Sequence, residues 1–561
     1  MAETDSAAET QVEKGKTALA EGRDQDAEAA FRAALDISPN FIPANYHMGL
    51  LKLGCGQAAD GLPFLQKAAK AQPSTTTLTA LGNCFETLGA YEKAIRCYRP
   101  VLDKTPGDSN LWARYANLLQ SLGQESDAIE AYNSALTHNP RHARAAIKLG
   151  WILWKEIPQE AIRVLKIALD ETDNLTDRVT LLSALVLFEE WSARLSMKLM
   201  PYHATSLDDL FFHSANDTLK EFKSTAARLA ESNPENSWAL MTNGLATFAS
   251  GDPDAAQKLF TRVTDHPLKE MAQAIRFDPP FFDELEKTTN SKLMAELPNV
   301  ETLKEASLSK ADVLYMSCND TYFDMFAKPL LRSLAQNGPE NEVHIHLMDS
   351  TQEHSDTAIK FCTDLPNVRT ALSVERPDFS GANLAVKRAY FHAIRFIRYY
   401  HHFLEYQRSL WLMDVDGLFN TSPRDLFLGC GDTDISLRAR PGRLEPWNQF
   451  NACLIGAHPT SVATKYLHLV AAYIAHFYRQ QNLPWGIDQL AMYASFLHLQ
   501  KHGAAPRLNF LGDKVLDYEY LEDSILWCSS GIGKLSASGK KNIENDPKAT
   551  AYDRAFSRHQ S

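Results

Sequence analysis

Small residues recur in this chain about every 34 positions, and that spacing leaves few folds open. Gly15, Gly49, Gly82, Ala116 and Gly150 form one series, and Ala27, Gly61, Ala94, Ala128 and Ala161 a second. Large residues, Phe31, Leu65, Tyr98, Tyr132 and Leu165, keep the same phase, as do Ala34, Ala68, Val101, Ala135 and Ala168. Pro39, Pro73, Pro106 and Pro140 follow the same step. Small residues let two helices approach closely, a large one fills the next gap, and a proline ends the second helix. The in-phase units predict an all-α array of stacked helix pairs.

The small and large positions resemble the tetratricopeptide repeat over residues 1–173. The resemblance implies a solenoid whose concave face takes a peptide or protein. Asn45, Asn83, Asn117 and Arg144 are candidates to line that face. The other use of such an array is to cap the rest of the chain or pair it in a homodimer. Residues 174–235 stay helical in composition but lose the register, and Gly244, Ala256, Phe260 and Val263 restore it once more. The pattern breaks at Asp278-Pro279-Pro280-Phe281-Phe282, so 174–300 reads as a further helical region and linker.

From Ala311 the period changes. Strands are expected over Asp312–Ser317, Glu342–Met348 and Val368–Val374, with helices over Ala327–Ala335 and Lys387–Tyr406. Alternation of this kind predicts an α/β domain with a mostly parallel sheet over 301–540, followed by a polar, disordered tail at 541–561. Ser409–Phe419 is the strand of most interest, an apolar run that meets Asp414 and Asp416. Such a run reads as an inner strand, and ligands bind at the carboxyl ends of inner strands. Two carboxylates two apart on an extended, solvent-facing strand end share a side and can hold one hard cation through oxygen. Spacing alone means little, since Asp24/Asp26, Asp252/Asp254 and Asp432/Asp434 repeat it.

The order of these elements resembles a GT-A (Rossmann-like) glycosyltransferase fold, and most the retaining enzymes of glycosyltransferase family 8, over residues 311–534. The resemblance implies transfer from a nucleoside diphosphate sugar, with Mn²⁺ or Mg²⁺ on Asp414 and Asp416. It implies that Asn319, Asp320 and Tyr322 grip the nucleoside and that Arg395 reaches the donor. Phe450-Asn451-Ala452 resembles the family's N-A-G element beside the sugar, with Cys453 in place of glycine. Gly486-Ile487-Asp488-Gln489 resembles its D-Q element, leaving open whether Asp488 or Gln489 faces the anomeric carbon. Cys528-Ser-Ser-Gly531-Ile-Gly-Lys534 resembles H-x-x-G-x-x-K, so Gly531 and Lys534 would meet the diphosphate. Cysteine stands where histidine completes the metal site, and a thiol suits Mn²⁺ or Mg²⁺ poorly. His344, His346, His401 and His402 read as structural, without metal spacing to carboxylates. The acceptor would be a protein, or a carrier-linked glycan, docked by the repeats. The other reading is a repeat adaptor whose α/β half has lost catalysis.

Composition agrees with a globular chain of more than one domain, at 561 residues with 45% apolar and 22% charged content. A net charge of −12, about −10 of it before residue 301, argues against nucleic acid as a partner. The eight cysteines form no C-x-x-C pair, the N-terminus is polar, and no apolar run spans a bilayer. These features predict a cytoplasmic protein.

Overall fold

The computed structural model describes residues 2–154, 156–196, 216–295, 297–305, 312–337, 341–382, 384–428, 431–512, 514–517 and 523–528. The chain divides into two compact units, residues 1–188 and 189–561.

The first unit is all helical. Its helices are α1 (Ala2–Ala20), α2 (Asp24–Ile37), α3 (Ile42–Gly54), α4 (Ala58–Ala71), α5 (Thr75–Thr87), α6 (Tyr91–Lys104), α7 (Ser109–Ser121), α8 (Glu125–His138), α9 (Ala143–Leu153), α10 (Pro158–Glu171) and the start of α11 (Leu175–Ser196). Phe31, Leu65, Tyr98, Tyr132 and Leu165 are wholly buried, and the small residues of the second and fourth series lie in the same seams. A Cβ on Gly15 would lie 2.4 Å from the Phe31 ring, and one on Gly82 would lie 2.3 Å from the Tyr98 ring. The periodic glycines are therefore the holes into which the periodic aromatics fit.

Asn45 is too buried to line a groove, whereas Asn83 and Asn117 are half-buried. Asn45 is buried and donates to the Pro39 and Phe41 carbonyls. Asn83 and Asn117 each accept a 2.7 Å hydrogen bond from the hydroxyl of Tyr98 or Tyr132. A buried phenol needs a partner, and an asparagine of the preceding helix, fifteen residues earlier, supplies it. Arg144 is exposed.

The second unit opens with α12 (Asn216–Ser232), α13 (Ser237–Ala249), α14 (Pro253–Phe260), α15 (Lys269–Ala274), α16 (Pro279–Glu286) and α17 (Asn290–Ala295). Gly244 and Phe260 repeat the glycine–aromatic fit of the array. The strands are β1 (Glu301–Lys304), β2 (Asp312–Cys318), β3 (Asn341–Met348), β4 (Val368–Glu375), β5 (Ser409–Met413), β6 (Gly417–Phe419), β7 (Ile435–Ala439), β8 (Phe450–Ala457), β9 (Leu508–Phe510), β10 (Leu516–Asp517) and β11 (Leu526–Cys528). Between them lie α18 (Asp320–Tyr322), α19 (Lys328–Asn337), α20 (Gln352–Asp364), α21 (Leu384–Tyr406), α22 (Arg424–Leu428), α23 (Ser461–Arg479) and α24 (Ile487–Lys501).

Among the described residues, eight strands form one sheet in the order β1-β4-β3-β2-β5-β8-β7-β9. β4, β3, β2 and β5 are parallel, β8 runs against both β5 and β7, and β9 is parallel to β7. The mixed sheet thus carries a parallel half and one reversed inner strand. β6 leaves it to pair with β11 in a second sheet, of order β10-β11-β6 among the described residues. The expected continuous strand over Ser409–Phe419 is therefore two strands with a bend at 414–416.

The stretch before the sheet is packed rather than extended. Phe281 and Phe282 of α16 are buried, with ring centroids 5.2 and 6.1 Å from Tyr473 of α23. The Tyr473 hydroxyl donates to the Ala274 carbonyl and accepts from the Arg276 amide at 3.1 Å. Burying two phenylalanines stabilises this junction by roughly 3–6 kcal/mol.

Candidate functional site

β5 is flanked by β2 and β8, so its carboxyl end is an inner position of the sheet. Asp414 follows it directly, its amide donating to the Cys453 carbonyl at 2.8 Å. That bond brings the start of β8, with Asn451 and Cys453, beside Asp414. Asn451 is buried, and its Oδ1 accepts the Cys453 amide at 2.7 Å.

α21 supplies the charge that faces these carboxylates. Arg395, Tyr399, His402 and Tyr406 stand at i, i+4, i+7 and i+11, one face of the helix. The Tyr399 hydroxyl donates to the Leu410 carbonyl at 2.7 Å and fixes that face on β5. Arg395 then bonds the Asp414 carboxylate through Nη1, and its Nη2 lies 3.5 Å from Asp488 and 3.3 Å from the Ala452 carbonyl. Burial disfavours the Arg395 charge, but Asp414 and Asp488 outweigh it and hold the guanidinium above its usual range. Asp488 sits in the first turn of α24, 3% exposed, behind Gly486 at φ +90°. That left-handed glycine turns the chain so that Asp488 points back to Arg395. Gln489 beside it has a buried Oε1 with no hydrogen-bond partner.

Asp414 and Asp416 are not the solvent-facing pair expected of a strand end. Asp416 is 7% exposed and the Asp414 side chain 29%. Cys528 pairs with Gly417 across β11 and β6, next to Asp416. Burial first, then Cys453, Asp416 and Asp414, push its thiol well above the usual range, so it stays neutral. Arg438 of β7 opposes this shift, and its Nη1 donates to the Leu516 carbonyl.

Asn319, Asp320 and Tyr322 lie at the end of β2, the strand next to β5. Asn319 caps α18 by accepting the Tyr322 amide at 2.9 Å. Asp320 is 2.9 Å from His354 Nδ1 and accepts the Thr351 amide at 3.2 Å, while Tyr322 is exposed. None of the three shares a hydrogen bond or ion pair with Arg395, Asp414 or Asp488 among the described residues. Gly531, Lys534 and the tail at 541–561 lie outside the described residues. The other D-x-D pairs are structural: Asp24 and Asp26 begin α2, Asp252 caps α14, and buried Asp434 accepts from Thr460 and the Arg507 amide.

Sequence reasoning missed Arg438 and Trp485. Trp485 is 74% exposed, with its ring 4.6 Å from His392, one turn before Arg395. A tryptophan directly before Gly486 was visible in the sequence; its exposure and its pairing with α21 were not.

Residues 8–41 and 87–152 match models of the tetratricopeptide repeat. A stretch of 87 residues is 32% identical to the peroxisomal targeting signal receptor of Kluyveromyces lactis. It covers 15% of this chain and 15% of that receptor. Among solved structures, the MamA protein is similar at 21% identity, covering 30% of this chain and 93% of that one, with a TM-score of 0.29. YrrB, described as a TPR protein with an unusual peptide-binding site, is similar at 17% identity, covering 30% and 88%, with a TM-score of 0.28. A tetratricopeptide repeat protein from Parabacteroides merdae is similar at 14% identity, covering 50% and 97%, with a TM-score of 0.33. No helix among the described residues is long and apolar enough to cross a membrane. The N-terminal region is a tetratricopeptide repeat array, followed by a unit with a mixed sheet.

Proposed function

We propose that this protein is a tetratricopeptide scaffold for a protein partner, and that its α/β unit transfers a sugar from a nucleoside diphosphate sugar to what the repeats dock. The repeat matches support the scaffold half. One observation carries the other half: Asp414, Asp488 and Arg395 meet at the carboxyl end of inner strand β5, beside reversed strand β8. Ligands gather at such strand ends. The strand order and its single reversed inner strand support the GT-A reading.

The donor set suits Mn²⁺ or Mg²⁺ through the oxygens of Asp414 and Asp416, whereas neutral Cys528 adds nothing to it. When bound, such an ion supplies positive charge to a departing diphosphate. The chain's own residues do the rest. Arg395 orients Asp414 and Asp488 from one buried guanidinium, and is a positioning residue. Asp488 or Gln489 faces a sugar with growing positive charge at its anomeric carbon, Gln489 through its unused Oε1. Trp485 offers an exposed ring beside them for a docked acceptor.

The second reading, an adaptor whose α/β unit does no transfer, is the one the comparisons favour, since they match the repeats alone. It draws further on Cys528 and on the Arg395 bond that occupies Asp414. Release of nucleoside diphosphate by the full chain from a panel of nucleotide sugars with Mn²⁺ separates the two. Turnover that Asp416→Asn abolishes supports transfer. No release and no donor binding leaves the scaffold reading alone.

A further inference from the structure

Trp485 is 74% exposed, yet the turn that carries it is anchored on both sides. Pro484, Gly486 and Ile487 are buried, and the Ile487 amide donates to the Pro484 carbonyl at 3.1 Å. With Gly486 at φ +90° and ψ 8° in the third position, and Trp485 at negative φ in the second, this is a type II turn. A Cβ on Gly486 would lie 3.4 Å from Met271 Cε and 3.8 Å from Trp447 Cδ1, so the turn is seated on the core. Trp485 alone stands out from it.

One side of the indole rests on α21. Its ring is 4.6 Å from that of His392, at an interplanar angle of 40°. His392 Nδ1 is 3.0 Å from the Arg388 carbonyl, so the imidazole donates there and is held in place. One turn further on, Arg395 donates through Nε to the His392 carbonyl and reaches Asp414 and Asp488. Trp485 also stands three residues before Asp488, a chain length that spans at most about 11 Å. The exposed ring is thus within a short saccharide's length of Asp488.

The surroundings of the ring indicate what covers it. Two side chains beside the turn hold buried acceptors without donors, His392 at Nε2 and Gln489 at Oε1. Gln489 Nε2 lies 4.0 Å from where a Gly486 Cβ would be, so this amide borders the turn. The ring is therefore a flat apolar plate with a polar border. It is not the apolar pocket that anchors a leucine or phenylalanine of a peptide. A pyranose ring matches such a plate. Its axial C–H bonds form a weakly positive apolar face that meets the negative face of the indole, and its rim carries hydroxyls.

We infer that Trp485 is a stacking platform for a sugar ring, and that the acceptor of the transfer ends in a saccharide. The inference rests on the transfer reading and narrows its acceptor from a protein or a glycan to a glycan. A sugar stacked on Trp485 presents a hydroxyl toward Asp488 and Gln489, where that reading places the anomeric carbon of the donor. The hydroxyl oxygen bonds that carbon, the bond from the carbon to the diphosphate oxygen breaks, and the hydroxyl proton leaves on the diphosphate.

The test uses the full chain with the methyl glycosides of glucose, galactose, mannose and N-acetylglucosamine, read by saturation-transfer NMR. At least one glycoside should bind, with saturation strongest on the C–H protons of one ring face. Trp485→Ala should weaken that binding on the order of tenfold, and Trp485→Phe by less. The side chain is exposed, so both variants should unfold at the native temperature, which separates lost binding from lost fold. Equal binding by native and Trp485→Ala chains overturns the platform, and so does binding of none of the four glycosides. A proline-rich or aromatic peptide that binds through Trp485 where the glycosides do not overturns it as well. Release of nucleoside diphosphate from a panel of nucleotide sugars is measured alongside. A glycoside bound through Trp485 with no release from any donor supports the platform and overturns the transfer reading. Release with no glycoside bound supports transfer and overturns the platform.

Discussion

Arg395 bonds the Asp414 carboxylate at the end of β5 while its second terminal nitrogen lies 3.5 Å from Asp488. One buried cation thus serves two carboxylates from different elements. Removing it leaves two charges in a poorly solvated place, a strongly destabilising change. Arg395→Met should cost about 3 kcal/mol in urea unfolding of the full chain. A loss below about 1 kcal/mol would mean that water screens the cluster well.

The glycine–aromatic fit makes a prediction for the array. Gly82→Ala places a methyl 2.3 Å from a Tyr98 ring atom, and the ring is held by Asn83 and Glu86. Overpacking of this kind costs about 1–3 kcal/mol, more than the helix propensity gained from alanine. Thermal melts followed by circular dichroism should show the loss. An unchanged or higher midpoint would show that Tyr98 moves freely.

Asp278 gives a pH dependence. Burial raises its pKa, but Arg276 at 2.8 Å and Gln257 at 2.6 Å outweigh this and bring it to about 2, from 3.8 unfolded. The folded value is the lower one, so its contribution is complete above about pH 3.8 and is lost as pH falls toward 2. Asp278→Asn should flatten the fall of unfolding temperature over that window, relative to the native chain. Identical profiles for the two proteins would refute this role.

The repeat array was legible in the sequence because its packing is local. Phe31, Tyr98 and Phe260 each meet a glycine sixteen residues earlier, Gly15, Gly82 and Gly244, so the period itself reports the contact. The strands β2, β3 and β4 were legible as apolar runs, and α21 as an amphipathic helix. What lay across from them was not. Periodicity shows that Arg395 and His402 share a face of α21 but not that one meets Asp414 and the other His344. The same limit hid the bend after Met413 and the packing of Phe281 on Tyr473, both set by distant residues.

Cys528 offers the sharpest test of the carboxylate site. It ends β11, opposite Gly417 and so next to Asp416, and burial with nearby carboxylates keeps its thiol neutral. A neutral thiol contributes little to a hard ion, whereas imidazole suits Mn²⁺ better. Cys528→His, a larger side chain in a buried place, should still tighten Mn²⁺ binding on the order of tenfold, equivalent to about 1.4 kcal/mol. Titration calorimetry or Mn²⁺ electron paramagnetic resonance reads this without any turnover. If Cys528→His leaves Mn²⁺ affinity unchanged while Asp416→Asn abolishes it, the carboxylates hold the ion and Cys528 stands outside its reach. If neither substitution changes Mn²⁺ affinity, the bond from Arg395 to Asp414 is the resident interaction there, and the adaptor reading gains.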